Sequence, residues 1–140
     1  YAILAGQFEK AMSAYRKALD HTPGSAYIRN QLAWLFAEKN KDLKTALSHA
    51  RKAHKIRPDN PAVCDTLGWI YYLQGSLDLA LAELKESVEL NPNSAITHFH
   101  LGWTLYDLRQ FEKSRTHMKK ALELDPEFKG ADEARQLIGE

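Results

Sequence analysis

The chain has 140 residues, a formal net charge of +1, 44% apolar and 26% charged side chains, the profile of one ordinary globular domain. No apolar run approaches the ~20 residues of a membrane-spanning helix, no signal-peptide pattern opens the chain, and the single cysteine, Cys64, excludes an internal disulfide and leaves the redox compartment open. Charge is uneven: residues 1–60 hold 11 Lys/Arg against 5 Asp/Glu and residues 61–140 hold 8 against 13, giving +6 and −5, well short of the dense basic face that nucleic-acid binding requires.

The chain starts in mid-pattern at Tyr1, as a piece of a longer protein would. Tyr1 to Ala5 is expected to be the end of a helix and Gly6-Gln7 a tight turn. Phe8 to Asp20 then has apolar residues at Phe8, Ala11, Met12, Tyr15, Ala18 and Leu19, a helical period. Pro23-Gly24 ends it, and Ser25 is a good N-cap for the next helix, about Ala26 to Lys39. Asn40 is placed as the left-handed turn residue and Asp42 as the next cap. From about Leu43 to Ile56, Leu43, Ala46, Leu47, Ala50 and Ala53 share one side and Lys44, Arg51, Lys52 and Lys55 the other. Asn60 then caps a helix opened by Pro61, where a missing N–H costs nothing.

Residues 61–94 are the unit on which the chain is built. Shifted by 34 places, Leu67-Gly68-Trp69 meets Leu101-Gly102-Trp103 and Pro92 meets Pro126. Shifted the other way, Trp69 meets Trp34 and Pro92 meets Pro58, with one extra residue before Ala46. Gly75 and Ser76 supply a turn and a cap, Pro92 and Ser94 close the unit, and Arg109 takes the place of Gly75 in the next unit, at a cost in strain. Residues 129–140 resemble one more helix, with Ala131, Ala134, Leu137 and Ile138 on a face suited to covering the last unit. A fixed period of this size marks a stacked repeat array. The division expected is a partial repeat at 1–25, full repeats at 26–60, 61–94 and 95–128, and a capping helix at 129–140. Small residues (Ala33, Gly68, Gly102, Ala46 and Ala80) would let the two helices of a unit approach closely.

Leu67-Gly68, Tyr71, Gly75, Ala80, Leu84 and Pro92, recurring as Leu101-Gly102, Phe111, Ala121 and Pro126, resemble the tetratricopeptide repeat (TPR) family. Leu32-Ala33, Phe36, Ala46, Ala53 and Pro58, with Gly6 to Pro23, extend the match over nearly the whole chain. Ser87 and Ser114, where alanine is usual, are expected to loosen packing locally. The resemblance implies an all-α, right-handed superhelix of antiparallel helix pairs, whose first helices line a concave groove that binds peptides or protein segments. Family members that hold a partner's C-terminal carboxylate use Lys, Asn and Arg on those helices. Here Asn30, Trp34, Thr66 or Gln31, Ile96 and His100 occupy the matching places, so that mode is not expected. The wording LAWLFAE and DTLGWIYY is also similar to bacterial repeat proteins linked to envelope and polysaccharide assembly.

The expected ligand-binding stripe comprises Asn30, Trp34, Asp65, Trp69, Tyr72, Phe99, Trp103 and Tyr106, spaced so that each helix presents one face. All three tryptophans fall at the same place in successive units. They either anchor a ligand, as exposed Trp and Tyr often do, or pack between first helices. No phosphate loop, nucleophile elbow or paired-carboxylate motif is present, so no enzyme is expected. His49 and His54 are five apart and His98 and His100 two apart, poor metal spacings, and Cys64 reads as a buried inert thiol. No cofactor or metal is expected, and chelators should leave stability unchanged. The function that follows is a non-enzymatic protein-interaction scaffold holding a peptide or protein segment, with Asn30 and Asp65 bonding its polar groups. The alternative is a head-to-tail self-assembling module in a multiprotein or envelope-associated complex, with a carbohydrate ligand as a third possibility. Neither nucleic-acid binding nor membrane insertion by this segment is expected. The compartment, cytoplasmic or periplasmic, stays open.

Overall fold

The computed structural model describes residues 5–139. It places eight α-helices in succession: α1 Ala5–His21, α2 Ala26–Leu35, α3 Leu43–Ile56, α4 Pro61–Leu73, α5 Leu77–Leu90, α6 Ala95–Asp107, α7 Phe111–Leu124 and α8 Ala131–Ile138. There is no strand among the described residues. Consecutive helices pack as antiparallel pairs, α2 with α3, α4 with α5 and α6 with α7, and the pairs stack. The array is an all-α right-handed solenoid.

Local chemistry sets most boundaries. Ser25, Asp42, Asn60 and Ser94 each accept a bond from the backbone N–H three residues on, at 3.1–3.3 Å, meeting donors a helix start leaves bare. Pro61 opens α4. Ser76 precedes α5 but its side chain makes no capping bond, contrary to the expectation for it. Gly6 and Gln7 lie inside α1, which runs unbroken from Ala5 to His21, so the tight turn expected there is absent. Gly6 has a helical φ and nothing within 4 Å of its Cβ position, so neither backbone nor neighbours interrupt the helix. The helix end expected before Ala5 falls at Tyr1 to Leu4, outside the described residues.

The extra residue of the second unit has a definite place. After Leu35 the helix continues as a π-helical segment, Phe36–Asn40. The backbone N–H groups of Lys41 and Asp42 both reach the Phe36 carbonyl, whereas in the next unit Ser76 N–H reaches Tyr71. A wider turn absorbs one residue and returns the chain to register for α3. The left-handed residue is Lys41, φ 56°, one place after Asn40, because the wide turn carries the helix through Asn40. Arg109 adopts φ 63° where Gly75 has φ 83°, so the same turn is made with a side chain present.

Within pairs the approach is close. A Cβ on Gly68 would stand 2.7 Å from Leu84 Cγ, and one on Gly102 2.9 Å from Met118 Cε. The serines at alanine places do not leave slack. Buried Ser87 Oγ donates to the Pro61 carbonyl and Ser114 Oγ to the Gly102 carbonyl, both at 2.7 Å, tying second helix to first. The main core runs from Met12 through Leu32, Phe36, Leu67, Ile70 and Leu84 to Leu105. A second cluster joins Phe99, Met118, Phe128, Ala134 and Ile138 beneath α8, and Ala26, Ala53 and Val63 form a third.

Candidate functional site

The first helices α2, α4 and α6 carry Trp34, Trp69 and Trp103 at corresponding places, and all three rings are half-buried. Trp69 is the most engaged. Its indole stacks on His100 at 4.0 Å between centroids and on Tyr72 at 4.6 Å, and its Nε1–H donates to Glu38 Oε1 at 3.0 Å. His100 lies 6.3 Å from the Trp34 ring and belongs to the next unit, so one imidazole links two tryptophans. Its Nδ1 is 2.8 Å from Asp65 Oδ1. A carboxylate can only accept, so Nδ1 carries the proton and donates. Burial, then the bond to the Asp107 side chain, pushes the Tyr72 phenol up from its ordinary value. The row is thus laced across units, Trp69 reaching back to Glu38 and Tyr72 forward to Asp107.

The expected stripe divides into three parts. Trp34, Trp69, Tyr72, Trp103 and Tyr106 keep accessible surface, with Tyr106 40% exposed. Asp65 and Phe99 do not: they are 8% and 7% exposed. Asp65 is committed to His100. Phe99 is covered by Phe128, ring centroids 5.2 Å apart, and by Gly130, whose φ of 115° and hypothetical Cβ, 2.7 Å from the Phe99 ring, leave room for glycine alone. Asn30 stands apart, near the start of α2, beside Tyr27, Arg57 and Asn60. Its Oδ1 is buried and has no hydrogen-bond partner among the described residues.

A cleft of about 180 Å³ lies against the row, lined by Trp34, Trp69, Ile96, Phe99 and His100 together with the charged Glu38, Lys129 and Glu133. Sequence reasoning missed Glu38 and the Lys129–Glu133 corner, and named His100 only as a groove position without a role. Glu38 is four residues from Trp34 and His100 three from Trp103, spacings that share a helix face and that could have signalled both. The corner depends on how α8 docks, for which the sequence holds no local signal.

Outside the row, His98 Nε2 is 2.8 Å from the Pro92 carbonyl and its Nδ1 2.9 Å from His117 Nδ1. The carbonyl fixes the His98 proton on Nε2, so His117 Nδ1–H donates to His98. Burial, then the neighbouring His98 and Lys85, hold His117 down at about 4. Burial, then Glu83 and further carboxylates, push the Cys64 thiol up to about 12, which leaves it unreactive as a nucleophile at neutral pH.

Three tetratricopeptide-family sequence profiles match the chain, over residues 2–61, 68–108 and 95–128. The chain belongs to the tetratricopeptide repeat family. The TPR repeat-containing protein PA4667 of Pseudomonas aeruginosa is 37% identical over 71 residues, 51% of this chain. The match spans 12% of that relative's length. Among solved structures, TTC0263, a thermophilic TPR protein of Thermus thermophilus, superposes with a TM-score of 0.81 at 24% identity, covering 95% of this chain and 72% of its own. The first TPR domain of Spaghetti (RPAP3), solved bound to the HSP90 peptide SRMEEVD, gives a TM-score of 0.70 at 19% identity, covering 80% of this chain and 89% of its own. Both likenesses are of fold.

Proposed function

We propose that this TPR domain is a non-catalytic protein-interaction scaffold. Its groove takes a peptide or protein segment with large apolar side chains, which seat against Trp34, Trp69 and Trp103 with Tyr72 and Tyr106 beside them. The observation that carries this is the row itself: three half-buried indoles at corresponding places in successive units, the central one, Trp69, held in orientation by Glu38 and His100. Rigid aromatic anchors of this kind give binding area at low entropic cost. The unpartnered Asn30 Oδ1 supports a ligand that brings an N–H donor. Asp65 and Phe99 serve from beneath, Asp65 by orienting His100 and Phe99 as the floor of the cleft. A domain of this fold is bound to an HSP90 peptide, which supports a peptide as occupant. The basic residues that would hold a terminal carboxylate are missing at the matching places here, so the contact is apolar.

Selection of a displayed peptide library on the wild-type domain tests this. Enriched peptides should carry aromatic or large aliphatic residues and should lose about 30-fold or more in affinity on Trp69→Ala or Trp103→Ala, the ~2 kcal/mol of a central anchor. Peptides that bind both variants as well as wild type would place the site elsewhere.

A further inference from the structure

The α2–α3 and α4–α5 pairs meet along α3, α4 and α5, and three side chains of metal-binding type converge on that seam. His54 comes from the last turn of α3, Cys64 from the first turn of α4 and Glu83 from the middle of α5. One donor atom from each lies within 4.8 Å of the other two. His54 Nε2 is 3.2 Å from Glu83 Oε1. The contact has ion-pair length but not hydrogen-bond geometry, because Glu83 Oε1 is buried and has no hydrogen-bond partner among the described residues. A carboxylate oxygen sealed from water without a donor is destabilising unless a cation meets it. Cys64 is fully buried, and its thiol, a weak donor, makes one long bond to the Pro58 carbonyl at 3.5 Å.

We propose that His54, Cys64 and Glu83 form a zinc site that clamps the second repeat to the third. One imidazole nitrogen, one thiolate and one carboxylate are the donors a borderline-soft divalent ion takes. With His54 neutral, thiolate and carboxylate balance the two positive charges, so the bound site is neutral in a half-buried setting. Binding releases the Cys64 proton to solvent as the Zn–S bond forms. Bond lengths of about 2.0–2.3 Å set tetrahedral donors roughly 3.5 Å apart. Small rotations of His54 and Glu83, whose side chains are 30% and 23% exposed, close the present spacing on a Cys64 fixed within α4. That exposure also leaves a side open for water as fourth ligand. The ligands are 10 and 19 residues apart in sequence, which is why no spacing motif announces them. The site lies on the α3–α5 seam and does not depend on what the tryptophan row binds. It reverses the expectation that chelators leave the protein unaffected.

The test is Co²⁺ titration of the chelator-treated domain, followed by displacement with Zn²⁺. The expected result is one equivalent bound with a thiolate-to-cobalt charge-transfer band, intense tetrahedral d–d absorption, and a melting temperature raised by Zn²⁺. Cys64→Ser should abolish the band, and Glu83→Gln should weaken binding about tenfold or more. Glu83 is only partly buried, so its variant decides the matter if Cys64→Ser fails to fold. Absence of the band in excess Co²⁺ would overturn the proposal. So would Zn²⁺ affinity and stabilisation unchanged in Glu83→Gln, which would assign binding to other histidines.

Discussion

Trp69 and Leu67 stand two residues apart on α4 with different surroundings. Leu67 is 3% exposed within the main core, and Leu67→Ala should cost about 2–5 kcal/mol in denaturant unfolding. Trp69 is half-buried but stacked and hydrogen-bonded. Its truncation should cost about 1–3 kcal/mol, below the ~3–5 of a fully buried aromatic. If Trp69→Ala unfolds the domain as badly as Leu67→Ala, the ring is core and the groove loses its central anchor. A second residue-scale effect belongs to His117. Its imidazole titrates at 6.5 when unfolded and at about 4 when folded. Between those values the unfolded chain binds a proton that the native state does not, so stability is full above about pH 6.5 and falls as pH drops toward 4. Allowing for the ring's part exposure, the loss is on the order of 1–2 kcal/mol, and His117→Gln should flatten that limb. An NMR titration placing folded His117 near 6.5 would remove the effect.

At the scale of elements, the π segment shows how an irregular repeat keeps its partners. In an α-helix one extra residue turns everything after it by about 100°; here the wide turn takes up that rotation before α3 begins. Deleting Lys39 should therefore convert Phe36–Asn40 to ordinary helix and leave α3 in place, with helicity retained and stability changed by within about 1 kcal/mol. Loss of cooperative unfolding in the deletion variant would show that the insertion does more than lengthen a turn. The same elements show what the sequence could tell. Asn60-Pro61, Ser25 and Asp42 announced helix starts because a cap is a local bond between near neighbours. The extra residue was countable and fell between Trp34 and Ala46, yet the turn that absorbs it was not legible, since either the end of the first helix or the loop before α3 could have taken it. The tryptophan row followed from the period alone. The burial of Asp65 and Phe99 did not, because it depends on His100 from the next unit and on Phe128 and Gly130 arriving with α8.

Taken whole, the solenoid has α1 to α3 within a stretch of charge +6 and α4 to α8 within one of −5. Opposite surfaces at two ends of one molecule favour head-to-tail contact, weakened by salt because exposed charges are screened beyond ~10 Å at 0.1 M. Sedimentation over a concentration series should show association, if it occurs, diminishing as ionic strength rises. Oligomers indifferent to salt would point to apolar contacts instead. The tryptophan row carries one more consequence. The chain's three tryptophans all stand at that row, so under tryptophan-selective excitation the molecule's intrinsic fluorescence arises there, with no indole buried elsewhere to dilute it. A ligand that displaces water from those rings changes the emission directly, and single Trp→Phe replacements at Trp34, Trp69 and Trp103 resolve which repeat it touches.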